Sequence, residues 1–208
     1  MKKTYITVSS RMITKETEGS MIVSISGAQC TGKTTLLNAL KEQERFKSRT
    51  AFMGSPSRKG NDKGIRINKE AGLVDQLWIV TSYTKELIET TRGDFDNVIS
   101  DRCILDMLCY TDYHYQHAEG IEKRWWEEMR DTVTQLLFHV EPLYNYHVIL
   151  RPEFEIIPDG VRSNDPVFQK EIADLFEKNV NMLKDFVPEK IVYVTGSVED
   201  RIQQILSL

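Results

Sequence analysis

Cysteine is scarce in this chain of 208 residues: Cys30, Cys103 and Cys109 are all there is, and no C-x-x-C pair occurs. That excludes a disulfide framework and a clustered-cysteine zinc site. Long apolar runs are missing as well. None approaches the roughly 20 residues a membrane span requires, and the polar start, Met1 to Ser20, lacks the apolar core of a signal peptide. Nor is there an excess of one charge, since 27 basic residues face 31 acidic ones and leave a net −4. A chain so balanced has no global attraction for a polyanion, so any nucleic-acid contact would be local. Repeats and low-complexity tracts are absent too.

What remains is a 40% apolar composition, enough for one real core. Residues 1–20 read as a leader or a cloning-derived appendage ahead of the body. They hold Lys2, Lys3, Arg11 and Lys15 against Glu16 and Glu18, with little to bury, and Gly19-Ser20 resembles a linker. The alternative is an edge strand over Tyr5 to Ser9. Those four cations and two acids take +2 from the total and leave −6 on residues 21–208.

From Met21 onward strand and helix patterns alternate. Ile22 to Ser26, Ala51 to Met53, Asn97 to Asp101, His147 to Leu150 and Lys190 to Thr195 read as buried strands. Helical spacing covers Lys33 to Gln43, Asn68 to Thr90, the segment from Ile104, and Lys123 to His139. Asp165 as N-cap with Pro166 at the first turn opens a long helix, and the capping-box pattern Ser197 to Asp200 opens the last. Ser57 to Lys63 reads as a basic loop. Such alternation predicts an α/β protein with a parallel sheet covered on both faces.

Between the first strand and first helix stands Gly27-Ala-Gln-Cys-Thr-Gly-Lys-Thr34, which matches G-x-x-x-x-G-K-[ST] in the context that motif requires. Gly27, Ala28, Gln29, Cys30, Thr31, Gly32, Lys33, Thr34 and Thr35 are therefore candidate nucleotide contacts. Backbone N–H groups of such a loop converge on phosphate oxygens, helped by the helix N-terminus. Lys33 would reach the terminal phosphates of the nucleotide and the Thr34 hydroxyl would ligate Mg²⁺. Cys30 has two readings, a thiol activated by the helix terminus or a small loop filler.

A phosphate cradle does not name a reaction. Asn68-Lys-Glu-Ala71 fails the guanine signature N-K-x-D, which speaks against a GTPase switch. The third strand ends in Asp101-Arg102 where water-activating ATPases carry two acids. Asp101 would orient the Mg²⁺ shell or accept a proton from an acceptor hydroxyl; Arg102 offers a planar fork for a phosphate or other oxygen. Asp106, one turn on, could simply pair with Arg102. Pro158 to Pro166 is turn-rich and placed for a lid, roughly residues 153–166, on which Arg162 would neutralise the moving phosphoryl group; a solvated surface loop is the other reading.

On these segments, together with Ile67 to Ala71, Gln76 to Ile79, Leu105-Asp106 and Asp159-Gly-Val-Arg162, the chain resembles the P-loop nucleoside and nucleotide kinases. It is most similar to ribosylnicotinamide kinase domains of the NadR type and to phage-encoded, thymidylate-kinase-like P-loop kinases. The resemblance implies a three-layer P-loop NTPase sandwich, a five-stranded parallel sheet with helices on both faces and a lid, over residues 21–208. It implies Mg-ATP as donor, Thr34 and Asp101 at the metal, and Lys33, Asp101, Arg102 and Arg162 in catalysis. The acceptor side departs from both families: Gly54-Ser-Pro56 lacks their Glu-Pro, while Arg58, Lys59, Lys63 and Arg66 follow. Those cations suit an acceptor phosphate, so Arg58, Arg102 and Gln76 are the acceptor candidates, with Trp78, Tyr83, Tyr110, Tyr113 and Trp126 as base-stacking candidates. The function so implied is ATP-dependent phosphorylation of a nucleoside monophosphate. A nucleoside, a nucleotide within DNA or RNA, or regulatory ATP binding without transfer are the alternatives. A small-molecule acceptor, a homodimer and a cytoplasmic location, the host's for a phage-encoded chain, complete the expectation.

Overall fold

The computed structural model describes residues 21–153 and 165–208. Its centre is β1 (Met21–Ser26), every residue of which is buried. A strand covered on both faces must be apolar throughout, which is why Met-Ile-Val-Ser-Ile runs without polar alternation beyond its two serines. The strand pairs in parallel with β3 (Asn97–Asp101) on one side and β4 (Tyr146–Ile149) on the other. β2 (Thr50–Met53) and β5 (Ile191–Tyr193) form the edges, giving the order β2-β3-β1-β4-β5. Register places Ile25 beside Asp101 and Ser26 beside Ile149, so all carboxyl ends meet along one rim.

Helices α1 (Lys33–Lys41) and α7 (Val198–Leu206) cover one face, where Leu36, Leu40, Ile202 and Ile205 pack on Val23, Ile25 and Val148. On the other face lie α3 (Leu73–Thr91), α4 (Ile104–His117), α5 (Gly120–Val140) and α6 (Pro166–Lys184), contributing Tyr83, Leu87, Leu105, Val133, Ile172 and Val180. Each such aliphatic side chain stabilises the fold by about 1.5–3 kcal/mol through burial alone. Helix starts follow the caps read in the sequence. Asp165 Oδ1 accepts from the N–H groups of Val167 and Phe168, and Ser197 exchanges bonds with Asp200.

Two local expectations need correction. The basic stretch after Gly54 is not a plain loop: Pro56, preorganised at a first helical position, starts the short helix α2 (Pro56–Asn61). The helix expected from Asn68 begins only at Leu73. Asn68 adopts φ 60, residues Asn68–Glu70 make a 3₁₀ turn, and the Asp75 carboxylate caps the N–H of Gly72 at 2.8 Å. The possible strand at Tyr5 to Ser9 and most of the expected lid, Arg162 included, lie outside the described residues.

Candidate active site

Glycine at position 27 is dictated by contact as well as by torsion. Its φ is +149, and a Cβ there would stand 2.3 Å from the Leu150 carbonyl oxygen at the end of β4. Gly32, at φ +85, is the N-cap of α1 and turns the chain into the helix. Cys30 between them also takes a left-handed φ of 59. Lys33 is buried, and its ammonium is folded back on the loop, donating to the carbonyls of Gly27 at 2.7 Å and Ala28, and to Thr31 Oγ1 at 3.2 Å. The loop thus holds its cation in place with carbonyl dipoles.

Three distant side chains brace the loop, and none of them is marked by a sequence motif. Arg201 of α7, 2% exposed, donates through Nη1 to the Thr31 carbonyl at 2.9 Å. Its Nη2 reaches Glu153 Oε2 at 3.0 Å, which also accepts from the Gly196 N–H. From α6, Gln169 Nε2 donates to the Gln29 carbonyl at 2.9 Å. Thr34 exposes its hydroxyl enough to accept from Arg58 Nη2 at 3.2 Å, while Thr35 faces outward from the first turn of α1.

At the rim of β3, Asp101 is 4% exposed, and its carboxylate has no hydrogen bond or ion pair among the described residues. A buried carboxylate at the carboxyl end of a central strand, with no hydrogen bond among the described residues, is of the kind that suits a hydrated metal ion or a proton in transit. No group of three His, Cys, Asp or Glu able to hold a metal occurs among the described residues. A Mg²⁺ carried by nucleotide phosphates would take a hydroxyl and a carboxylate near its water shell, and Thr34 and Asp101 are donors of those types.

Arg102 follows at φ +85. Its Nη1 bonds Asp106 Oδ1 at 3.0 Å, and the guanidinium lies 5.4 Å from the Tyr110 ring centroid. The Arg102–Asp106 pairing is therefore real, and it leaves both residues on the wall of a pocket. Burial works to lower the Arg102 pKa; Tyr110, Asp106 and Asp101 outweigh it and hold it above the ordinary value.

The pocket, narrow with about 30 Å³ of free space, is lined by Ser57, Ile67, Asn68, Gln76, Ile79, Arg102, Asp106, Met107 and Tyr110. Gln76 is nearly buried, and its Nε2 is committed to the Met107 carbonyl at 2.9 Å and Thr111 Oγ1 at 3.0 Å. That fixes the amide orientation and leaves Oε1 as an acceptor without a donor among the described residues. Arg58, adjacent to pocket-lining Ser57, points instead at Thr34.

The basic stretch does not act as one anion site. Lys59 pairs with Glu86 at 2.5 Å, Lys63 lies 5.3 Å from the Trp78 ring centroid, and Arg66 pairs with Asp75 at 2.9 Å. Of the aromatic candidates Tyr110 lines the pocket. Tyr83 is fully buried, Tyr113 packs on Phe168 at 4.8 Å, and Trp126 stacks on His114 at 4.5 Å, so these three are core. His114 donates through Nε2–H to the Asn68 carbonyl, 3.1 Å away, and burial brings its pKa down to about 4.

A parallel sheet of this order, with a glycine-bounded phosphate loop after β1 and an Asp-Arg rim on β3, is a P-loop nucleotide-kinase-like α/β fold. A family model described as an AAA domain matches residues 22–201, and the chain belongs to that family. Similar solved structures include a NadR protein in complex with NAD and AMP-PNP (15% identity, TM-score 0.64, covering 91% of this chain and 49% of that one). A thymidylate kinase from Ehrlichia chaffeensis gives 14% identity and TM-score 0.60, with 91% and 98% of the two chains covered. A deoxyadenosine kinase from M. mycoides, bound to dCMP and a flexible dCDP, gives 16%, 0.59, and 90% and 97%. At these identities the likeness establishes the fold. The chain spans about half the length of the NadR chains it matches. No curated protein matches it. No helix among the described residues is long and apolar enough to cross a membrane.

Proposed function

We propose that the chain is an ATP-dependent kinase that transfers the γ-phosphoryl group to a nucleoside-type acceptor, with a nucleoside monophosphate preferred. The observation that carries this reading is the link that α2 makes between the pocket and the phosphate loop. Ser57 lines the pocket and its neighbour Arg58 touches Thr34 of the phosphate loop, so an acceptor in the pocket has its phosphate end directed at the donor site. An ATPase sensor would have no use for a second, partly apolar pocket beside the loop.

On this reading Lys33 leaves the loop carbonyls for the phosphates, and the loop N–H groups bind their oxygens. Thr34 and Asp101 would hold Mg²⁺, which supplies neutralisation of the charge on the transferring group. Arg58 and Arg102 grip the acceptor phosphate, and the Gln76 carbonyl accepts from an amino or imino N–H of the base. A monophosphate oxygen needs no base to attack, so Asp101 is left to the metal shell. A nucleoside hydroxyl would instead hand its proton to Asp101. Thymidylate and deoxyadenosine kinases among the similar structures favour small acceptors, and the balanced charge weighs against a polynucleotide.

Incubation with Mg-ATP and separate panels of nucleosides, monophosphates and oligonucleotides, read as acceptor-dependent ADP release, tests the proposal. Release with one class of monophosphate is expected. Release only with oligonucleotides, or tight ATP binding without release under any condition, overturns it.

A further inference from the structure

The peptide of Arg102 is held in a conformation that a non-glycine residue adopts only at a cost of about 1–3 kcal/mol. Its φ of +85 at the exit of β3 turns the guanidinium onto Tyr110 and into the acceptor pocket. Something must hold it there. The N–H donates to the Ile25 carbonyl at 2.9 Å, which ties the residue to β1. The carbonyl oxygen, which can only accept, lies 3.0 Å from the Tyr83 hydroxyl and 2.8 Å from Ser100 Oγ.

Counting protons gives these bonds a direction. The carbonyl can only accept, so the one proton of Tyr83 serves that bond, and Ser100 Oγ, 2.9 Å from the Tyr83 hydroxyl, has its own single proton to share between Tyr83 and the carbonyl. The Tyr144 hydroxyl, 2.6 Å from that of Tyr83, must then be the donor of their shared bond. The chain runs one way, from Tyr144 on the approach to β4, through Tyr83 on α3, to the Arg102 carbonyl. Both rings are buried, and burial raises both phenol pKa values, so they remain protonated donors. Tyr83 also lies seven residues, two helical turns, after Gln76, so one face of α3 carries the acceptor contact and the brace on Arg102.

We infer that Tyr83 is a positioning residue for the acceptor. By donating to the Arg102 carbonyl it stabilises the left-handed peptide and so keeps the guanidinium in the pocket. This rests on the kinase reading above in so far as the acceptor is concerned; the placement of Arg102 does not.

The test uses the full chain with Tyr83→Phe, which keeps the ring and removes the donor, beside Tyr144→Phe, which removes the upstream donor and leaves the bond to Arg102 intact. Tyr83→Phe should raise the acceptor KM roughly tenfold with the ATP KM unchanged. Tyr144→Phe should leave both near the parent. In parallel, the Arg102 Nε–H resonance, assigned by its loss in Arg102→Lys, should exchange with solvent faster in Tyr83→Phe and not in Tyr144→Phe. Equal behaviour of the two variants, or a Tyr83→Phe enzyme with the parent's acceptor KM and Arg102 exchange, overturns the inference. If Tyr83→Phe does not fold, Ser100→Ala removes the other donor to the same carbonyl and should give the same split. Should the parent phosphorylate no acceptor, the kinase reading fails while the Nε–H measurement still decides whether Tyr83 places Arg102.

Discussion

The two halves of the crevice are built on different plans. On the proposed kinase reading the donor half is a contiguous stretch of eight residues whose shape is set by two glycines and by Lys33 bonding its own loop, and the rest of the crevice is the acceptor half. The acceptor half is assembled from α2, the turn at Asn68, α3 and the β3–α4 junction, and its key side chains are oriented by partners tens of residues away. A local device announces itself as a motif. An assembled one depends on packing, and its residues look ordinary until they are brought together.

If the halves are separable, each can be broken alone. The largest expected effect is Lys33→Ala, which should lower transfer by about 10³-fold or more whatever the acceptor; comparable ADP release from variant and parent would show that the loop does not hold phosphate. Asp101→Asn should follow, with kcat down about 10²-fold and the acceptor KM little changed, as expected if the carboxylate serves the metal or a proton rather than binding. Gln76→Leu should act on the other half only, raising the acceptor KM roughly 10- to 100-fold and leaving ATP binding as it was. A change in ATP affinity of similar size would mean that the halves are coupled.

Acid probes the same division through stability. Burial, reinforced for His147 by Lys190, brings the pKa of both His147 and His114 down to about 4. The unfolded chain, with histidines near 6.5, binds the extra protons first, so stability falls as pH drops from about 6.5 towards 4. Each histidine contributes about 3 kcal/mol to that loss. His114 is bonded to Asn68 at the pocket, so His114→Phe should flatten part of the slope in urea midpoints between pH 7 and pH 4. The smallest effect is expected at the exposed Lys59–Glu86 pair, where Lys59→Ala should change stability by under about 0.5 kcal/mol and leave both KM values alone.

Legibility in the sequence tracks the same division. The strands, the long capped helices and the phosphate loop follow from apolar runs, Asp165-Pro166, Ser197 to Asp200 and glycine spacing, because each is a local preference. Gln76 stands out only through the family resemblance, since nothing in its spacing separates it from a core-facing helix residue. The basic stretch misled for a physical reason: like charges adjacent in sequence find separate partners, Glu86, Trp78 and Asp75, once α2 and α3 pack together. Arg201 and Tyr83 gave no signal, because an arginine buried against a carbonyl 170 residues away and a tyrosine donating to a strained peptide have no local pattern.

The contact between Gly27 and the Leu150 carbonyl has a kinetic consequence. The loop takes its shape against the end of β4, across the same separation of 123 residues that links Ser24 to His147. Closing so long a stretch into parallel pairing is slow, and it requires α3, α4 and α5 to be accommodated first. The phosphate loop should therefore reach its final shape late in folding, after most helical signal has returned. A refolding chain should regain circular dichroism before it can capture a fluorescent ATP analogue, and added ATP should slow unfolding more than it speeds refolding.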